Sequence, residues 1–169
     1  MKLTRYWYTN TFFFAVIALT FLSCDNSKVT NWSDVSNTGF VSHVVDGDTY
    51  DILIDGKELR IRMDGIDAPE RGQDFYKKSK EYLGQICKDR KIRVEISKKD
   101  RWGRFIAKSY NEENQELGHL MVQEGFAWHF KKYSDDSTLA RLETEAFQNK
   151  RGLWSLESPT PPWEHRKKK

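Results

Sequence analysis

Three short runs of strand-forming residues, broken by Asp-Gly turns, constrain this chain more than any other feature. FVSHVV (40–45) and TYDILI (49–54) flank Asp46-Gly47-Asp48. Asp-Gly between two such runs is a strong local signal for a hairpin. Asp55-Gly56 marks a second turn. In ELRIRM (58–63), Leu59, Ile61 and Met63 alternate with Glu58, Arg60 and Arg62, which makes one face apolar and the other charged. Residues 40–63 therefore read as three consecutive antiparallel strands.

The pattern then changes period. Phe75, Ser79, Tyr82, Leu83, Ile86 and Cys87 fall on one helical stripe of 73–88. Cys87 on that stripe reads as a buried, inert thiol. KIRVEIS (91–97) and RFIAKSY (104–110) are two further strands. Leu117, Leu120 and Met121 mark a short helix stopped by Gly125. Leu139, Leu142, Ala146 and Phe147 mark a last helix, with Ser137 as its N-cap and Gly152 as its stop. Five short strands with helices inserted late predict an α+β domain, a five-stranded OB-type β-barrel carrying about three helices.

The 169 residues suit one such domain with extensions. Residues 1–23 read as a signal peptide: a basic start with Lys2 and Arg5, then the apolar run TFFFAVIALTFL (11–22), then Ser23-Cys24. The run is short of the roughly 20 residues that span a bilayer, and no second run exists, which excludes a polytopic membrane protein. A small residue immediately before Cys24 resembles a bacterial lipobox, with Phe21 where Leu is usual. Cys24 is then the acylated first residue of an exported chain, anchored to a membrane in the cell envelope; the alternatives are an uncleaved N-terminal anchor, or an ordinary signal cut nearby and a secreted chain. The Ser-, Asn- and Asp-rich residues 24–38 read as a flexible tether. The domain occupies 39–156, and 157–169, Pro-rich and then basic, read as a disordered tail. Two cysteines exclude a disulfide-rich scaffold and a cysteine-built zinc site.

Three clusters carry the chemistry. Asp48 leaves a tight turn into a strand, and Asp67 ends another strand before Pro69. In a meander these ends can meet, and two carboxylates that meet need a cation between them. Calcium suits hard oxygen donors in irregular geometry. The plainer reading makes Asp46 and Asp48 turn formers only. Arg62, on the polar face of its strand, and Arg104, after the Trp102-Gly103 turn, could clamp a phosphate through paired guanidinium donors. Each alone could equally be a surface ion-pair arginine. Glu70, three residues past Asp67, could position or deprotonate a water. It could equally be a helix N-terminal acid, and the two readings are compatible.

In this order the clusters are specific. DGDT (46–49), R-x-x-G-I-D-A-P-E (62–70), D-x-W-G-R (100–104), L-M-V-x-E-G-F-A (120–127) and G-L-W (152–154) closely resemble the staphylococcal nuclease (thermonuclease) family over residues 39–156. The resemblance implies that Asp48 and Asp67 bind calcium, with the backbone carbonyl of Ala68 as a further ligand and Asp46 acting through water. It implies Glu70 as general base, and Arg62 and Arg104 as phosphate-binding catalytic residues. Tyr133 falls near a tyrosine that packs the nucleotide. Lys131 stands where the family prototype has another, so Trp128 or Phe130 is expected to take over the stacking. Arg101 joins Tyr133 and Trp128 as an expected nucleic-acid contact. The implied activity is calcium-dependent endonucleolytic cleavage of DNA and RNA, preferring single strands and leaving 3′-phosphate ends.

Global charge is only +3, so any nucleic-acid argument is local. Residues 88–104 hold eight basic side chains against three acids. That fits either a phosphate-tracking surface or an edge strand protected by lysines. The competing reading is a non-catalytic OB-fold nucleic-acid-binding envelope lipoprotein. No protein partner is implied, and a monomer is expected.

Overall fold

A computed structural model describes residues 37–168. The expected signal peptide, the acylation site at Cys24 and all but residues 37–38 of the expected tether lie outside the described residues. Among those described, no helix is long and apolar enough to cross a membrane.

The meander forms as its alternation dictates. Strands β1 (Thr38–Val44), β2 (Thr49–Ile54) and β3 (Lys57–Met63) pair antiparallel in sequence. Strands β5 (Lys91–Lys99) and β6 (Phe105–Tyr110) form a second antiparallel hairpin. β6 then pairs parallel with β3, and β5 pairs with β1, which closes the barrel in the order β1-β2-β3-β6-β5. Register shifts after Val41 and after Ile96 sharpen the bend of the two strands that must curl most. The barrel interior takes the apolar half of each alternation: Val41, Tyr50, Ile52, Ile61, Ile92, Val94 and Ala107 are buried. Tyr50 brings its hydroxyl inside and meets Ser109 Oγ at 2.7 Å, so that polar group is not left bare.

Helix α1 (Tyr76–Cys87) buries Ser79, Leu83 and Cys87 on its apolar stripe. Cys87 is a free, buried thiol, and burial pushes its pKa up to about 12, which makes it unreactive. Helix α2 (Leu117–Gln123) packs between α1 and helix α3 (Ser137–Gln148). Gly125, just past the end of α2, has φ +69°, and a Cβ there would sit 2.3 Å from the Arg151 carbonyl oxygen.

Four details depart from expectation. The N-cap of α3 is Asp136, whose carboxylate accepts from the Thr138 and Leu139 amides; Ser137 is the first helical residue. Phe147, expected on the buried stripe, is 61% exposed. A second, two-stranded sheet pairs β4 (Ile66–Asp67) with β7 (Trp128–His129) outside the barrel. Two residues per strand are too few for alternation to reveal. Finally, the segment expected to be a disordered tail is folded against the domain. It carries helix α4 (Pro162–His165) and a closing 3₁₀ turn at Arg166–Lys168. Pro162 starts α4 at a position where its missing N–H costs nothing. Trp163 and Arg166 then find ring and carboxylate partners that composition cannot foretell.

Candidate active site

The β2–β3 register sets the first half of the site. Thr49 pairs with Arg62, so Asp48, one residue before β2, lies beside the end of β3, where the Met63 amide donates to its carbonyl at 2.8 Å. The Gly65 turn (φ +73°) leads into β4 and carries Asp67 back to the same edge. Both carboxylates are buried, with Asp48 6% and Asp67 1% exposed. One guanidinium joins them. Arg62 Nε lies 3.1 Å from Asp48 Oδ1, and Arg62 Nη2 donates to Asp67 Oδ1 at 2.9 Å. Its Nη1 is spent on the carbonyls of Met63 and Ile66, at 2.9 and 2.8 Å, so the fork cannot rotate away. The Ala68 amide donates to Asp48 Oδ2 at 2.7 Å, which ties the second cluster to the first.

Charge is crowded here. Asp46 accepts from the Asp48 amide at 3.1 Å. Burial, reinforced by the neighbouring Asp48 carboxylate, raises its pKa to about 7. Burial also holds the Asp67 carboxyl above its ordinary value, against the pull of the guanidiniums beside it. Gly47 fits between these acids by close approach: a Cβ would fall 1.8 Å from Ser79 Oγ and 2.7 Å from the Ala68 Cβ.

Glu70 follows Pro69 at the site's rim. Its amide donates to Gln73 Oε1 at 2.8 Å, which fixes the turn, while its carboxylate is partly exposed. There it meets Arg166, from the segment expected to be a disordered tail. Arg166 Nη1 lies 2.6 Å from Glu70 Oε1, and its Nη2 lies 2.7 Å from Asp67 Oδ2.

Arg104 reaches the site's face but not its carboxylates. It lies two residues before Ile106, the cross-strand partner of Arg62, and so shares the outer face of the sheet with Arg62. Its Nε and its amide both donate to Asp100, at 2.8 and 2.9 Å. Although burial acts the other way, these bonds hold the Asp100 carboxyl below its ordinary value. Arg101 stacks on the 67% exposed Trp102 ring at 4.2 Å, and the Arg104 guanidinium lies 5.2 Å from the same ring.

The aromatic expectations divide. Tyr133 is 64% exposed beside Phe130, edge to face at 4.8 Å. Trp128 must be corrected: it is in β7 opposite Asp67, 9% exposed, with Trp154 and Trp163 against its ring at 4.3 and 5.8 Å. A ring so enclosed supports β4 and has no face to offer a base. Phe130 is covered as well, since Trp163 lies flat on it.

Glu143 on α3 escaped the sequence reading. It is buried, accepts from the His129 amide at 3.0 Å and pairs with Lys131 Nζ at 2.6 Å. It thereby holds β7, and through β7 the strand bearing Asp67. A lone acid in the last helix, remote in sequence, gave no signal for this.

Among the described residues, no set of three or more His, Cys, Asp or Glu side chains forms a ready metal cage. The donor chemistry still fits a hard cation. Two buried carboxylates converge on one guanidinium, and carboxylate oxygens are the hard donors that calcium takes.

Sequence comparison with known proteins places the chain in a family. A family model described as staphylococcal nuclease homologue matches residues 60–156. An uncharacterized endonuclease of Escherichia coli O157:H7 is 38% identical over 131 residues, covering 76% of this chain and 86% of its own. A micrococcal nuclease of Shigella flexneri is 32% identical over 150 residues, covering 83% and 85%. An uncharacterized endonuclease of Haemophilus influenzae is 34% identical over 152 residues, covering 89% and 85%. A closed small barrel with this edge, matched along most of its length to such relatives, is a phosphodiester-cleaving hydrolase. The chain belongs to the staphylococcal nuclease family.

Proposed function

We propose that the protein is a calcium-dependent endonuclease that cleaves DNA and RNA at the edge formed by β2, β3 and β4, prefers single strands and leaves 3′-phosphate ends. One observation carries this reading: Asp48 and Asp67, from separate elements, are buried on a single Arg62 guanidinium with Glu70 at the rim. A calcium ion held by the Asp48 and Asp67 carboxylates and the Ala68 carbonyl would supply Lewis-acid polarisation of a non-bridging phosphate oxygen.

The chain's own residues do the rest. Glu70 accepts a proton from a water, and that water attacks phosphorus in line with the 5′ oxygen, which leaves and takes a proton from solvent to become the 5′-hydroxyl. Arg62, fixed by two carbonyls and two carboxylates, has one Nη2 N–H left to offer an equatorial oxygen as charge builds on it. Arg104, on the same face, exchanges Asp100 for phosphate and acts with it. Such contacts address phosphate rather than base edges, which suits tolerance of both nucleic acids. Tyr133 supplies the exposed ring for stacking, and Arg101 with Trp102 flanks the incoming strand. The chain is proposed to act as a monomer. Acylation at Cys24 would hold that monomer in the cell envelope, and mass spectrometry of the N-terminal peptide checks it.

Cleavage of denatured DNA tests the reading, first with calcium and then with a chelator. Activity should require calcium. Glu70→Gln should lower the rate by about 10²–10⁴, the usual worth of a general base. Arg104→Ala should lower it by about 10²–10³, as loss of one transition-state donor does. Undiminished cleavage in chelator would assign the chemistry to something other than a carboxylate-held cation.

A further inference from the structure

Among its contacts with the domain, the folded C-terminal segment makes two that bear on the candidate site, one on the ring beside Tyr133 and one on the acids. Trp163 lies flat on Phe130, with ring centroids 5.2 Å apart and planes 6° from parallel. That is the geometry in which a nucleobase would use the same ring. Three residues later, on the same side of the short helix, the Arg166 guanidinium closes over the acids. It takes Asp67 Oδ1 and Oδ2 at 3.3 and 2.7 Å and Glu70 Oε1 at 2.6 Å. Gln73 Nε2 anchors the approach by donating to the Thr160 carbonyl at 2.9 Å.

A guanidinium in that position supplies the counter-charge that buried carboxylates require. It also competes for it. A divalent ion and Arg166 would set positive charge against the same Asp67 oxygens, and Glu70 cannot hold a water while it holds an arginine. The two contacts therefore imitate two parts of the working complex, an aromatic ring in place of a base and a cation in place of the metal.

We propose that residues 159–166 form an autoinhibitory strap that calcium and a nucleic-acid strand must displace. The inference rests on the calcium reading of the site. The strap is built to open. Its helix has four residues, and the Arg166 side chain is 42% exposed. The segment also arches over a cavity of about 230 Å³ that Pro69, Trp128, Pro159 and His165 help to line. Among the described residues, the buried His165 Nε2 has no hydrogen-bond partner. Such a segment opens locally while the barrel stays folded.

Calcium titration of the full chain by calorimetry tests the strap against Arg166→Ala and Trp163→Ala. A strap closed about nine-tenths of the time leaves one molecule in ten competent, so Arg166→Ala should bind calcium about tenfold more tightly. Trp163→Ala should move affinity the same way by a smaller factor. The rise in melting temperature on adding calcium should be larger in Arg166→Ala than in the parent chain. If Arg166→Ala fails to unfold cooperatively in chelator, Trp163→Ala and Arg166→Gln carry the comparison. Equal or weaker calcium affinity in the variants overturns the strap and leaves the metal site standing. Absence of calcium binding in the parent and the variants alike overturns the metal site and the strap together.

Discussion

At the scale of single residues, the site depends on fit as much as on charge. The Asp-Gly-Asp sequence announces a turn, and the turn is there. What the sequence does not say is that Gly47 is wedged against Ser79 and Ala68. Gly47→Ala should cost about 1–3 kcal/mol through overpacking. It should also shift Asp48 from Arg62, so urea unfolding should show a modest loss while cleavage falls much further. The meeting of Asp48 with Arg62 was legible because the alternating strands and their turn set Thr49 opposite Arg62; Asp67, on a two-residue ladder, was marked only by its motif. Trp128 was not legible. An aromatic residue near an expected platform looks the same in sequence whether its faces are open or covered, and Trp154 and Trp163 decide that from distant positions. Arg166 was hidden for a related reason, since one arginine in a basic tail carries no mark of the carboxylates it will find.

At the scale of elements, the strands and the first helix could be read to within a few residues because each buries a periodic face. The start of α3 lies one residue earlier than expected, because Asp136 and Ser137 are both good caps and only the geometry chooses. Asp136→Ala should cost about 1 kcal/mol by leaving the Thr138 and Leu139 amides unmet. The pH dependence has a definite sign. Burial alone would raise this carboxyl, but the two amides and Lys108 outweigh it and hold its pKa below the ordinary value. Its contribution is thus fully present above the unfolded-state value and is lost as pH falls through the lower folded-state value. The melting-temperature gap between parent and variant should hold near neutrality and close in acid. Glu143 makes a second test. Glu143→Ala strands the His129 amide and should cost about 1–3 kcal/mol. Because β7 supports Asp67, calcium affinity should fall with it, which titration of the variant would reveal.

At the scale of the whole molecule, the parallel β3–β6 pairing matters most, because it sets the basic β5–β6 hairpin beside the carboxylate edge. Lys88, Arg90, Lys91, Lys98, Lys99 and Arg101 are all exposed there. If they track a phosphate backbone, binding of single-stranded DNA should weaken with salt, with a logarithmic slope near −0.7 per phosphate neutralised. A Lys91→Ala, Lys98→Ala double variant should reduce that slope while leaving cleavage of short oligonucleotides nearly intact. Fluorescence anisotropy across a salt series checks the first part. A slope unchanged by the double variant would make the lysines protectors of the strand.

One arrangement reaches further than its size. Asp67 hangs on a ladder two residues long, outside the barrel and braced only by neighbours. Short ladders let go before closed sheets do. Heating should therefore silence the enzyme several degrees before the barrel loses its far-ultraviolet circular dichroism, and on cooling, activity should return in the molecules whose barrel never came apart.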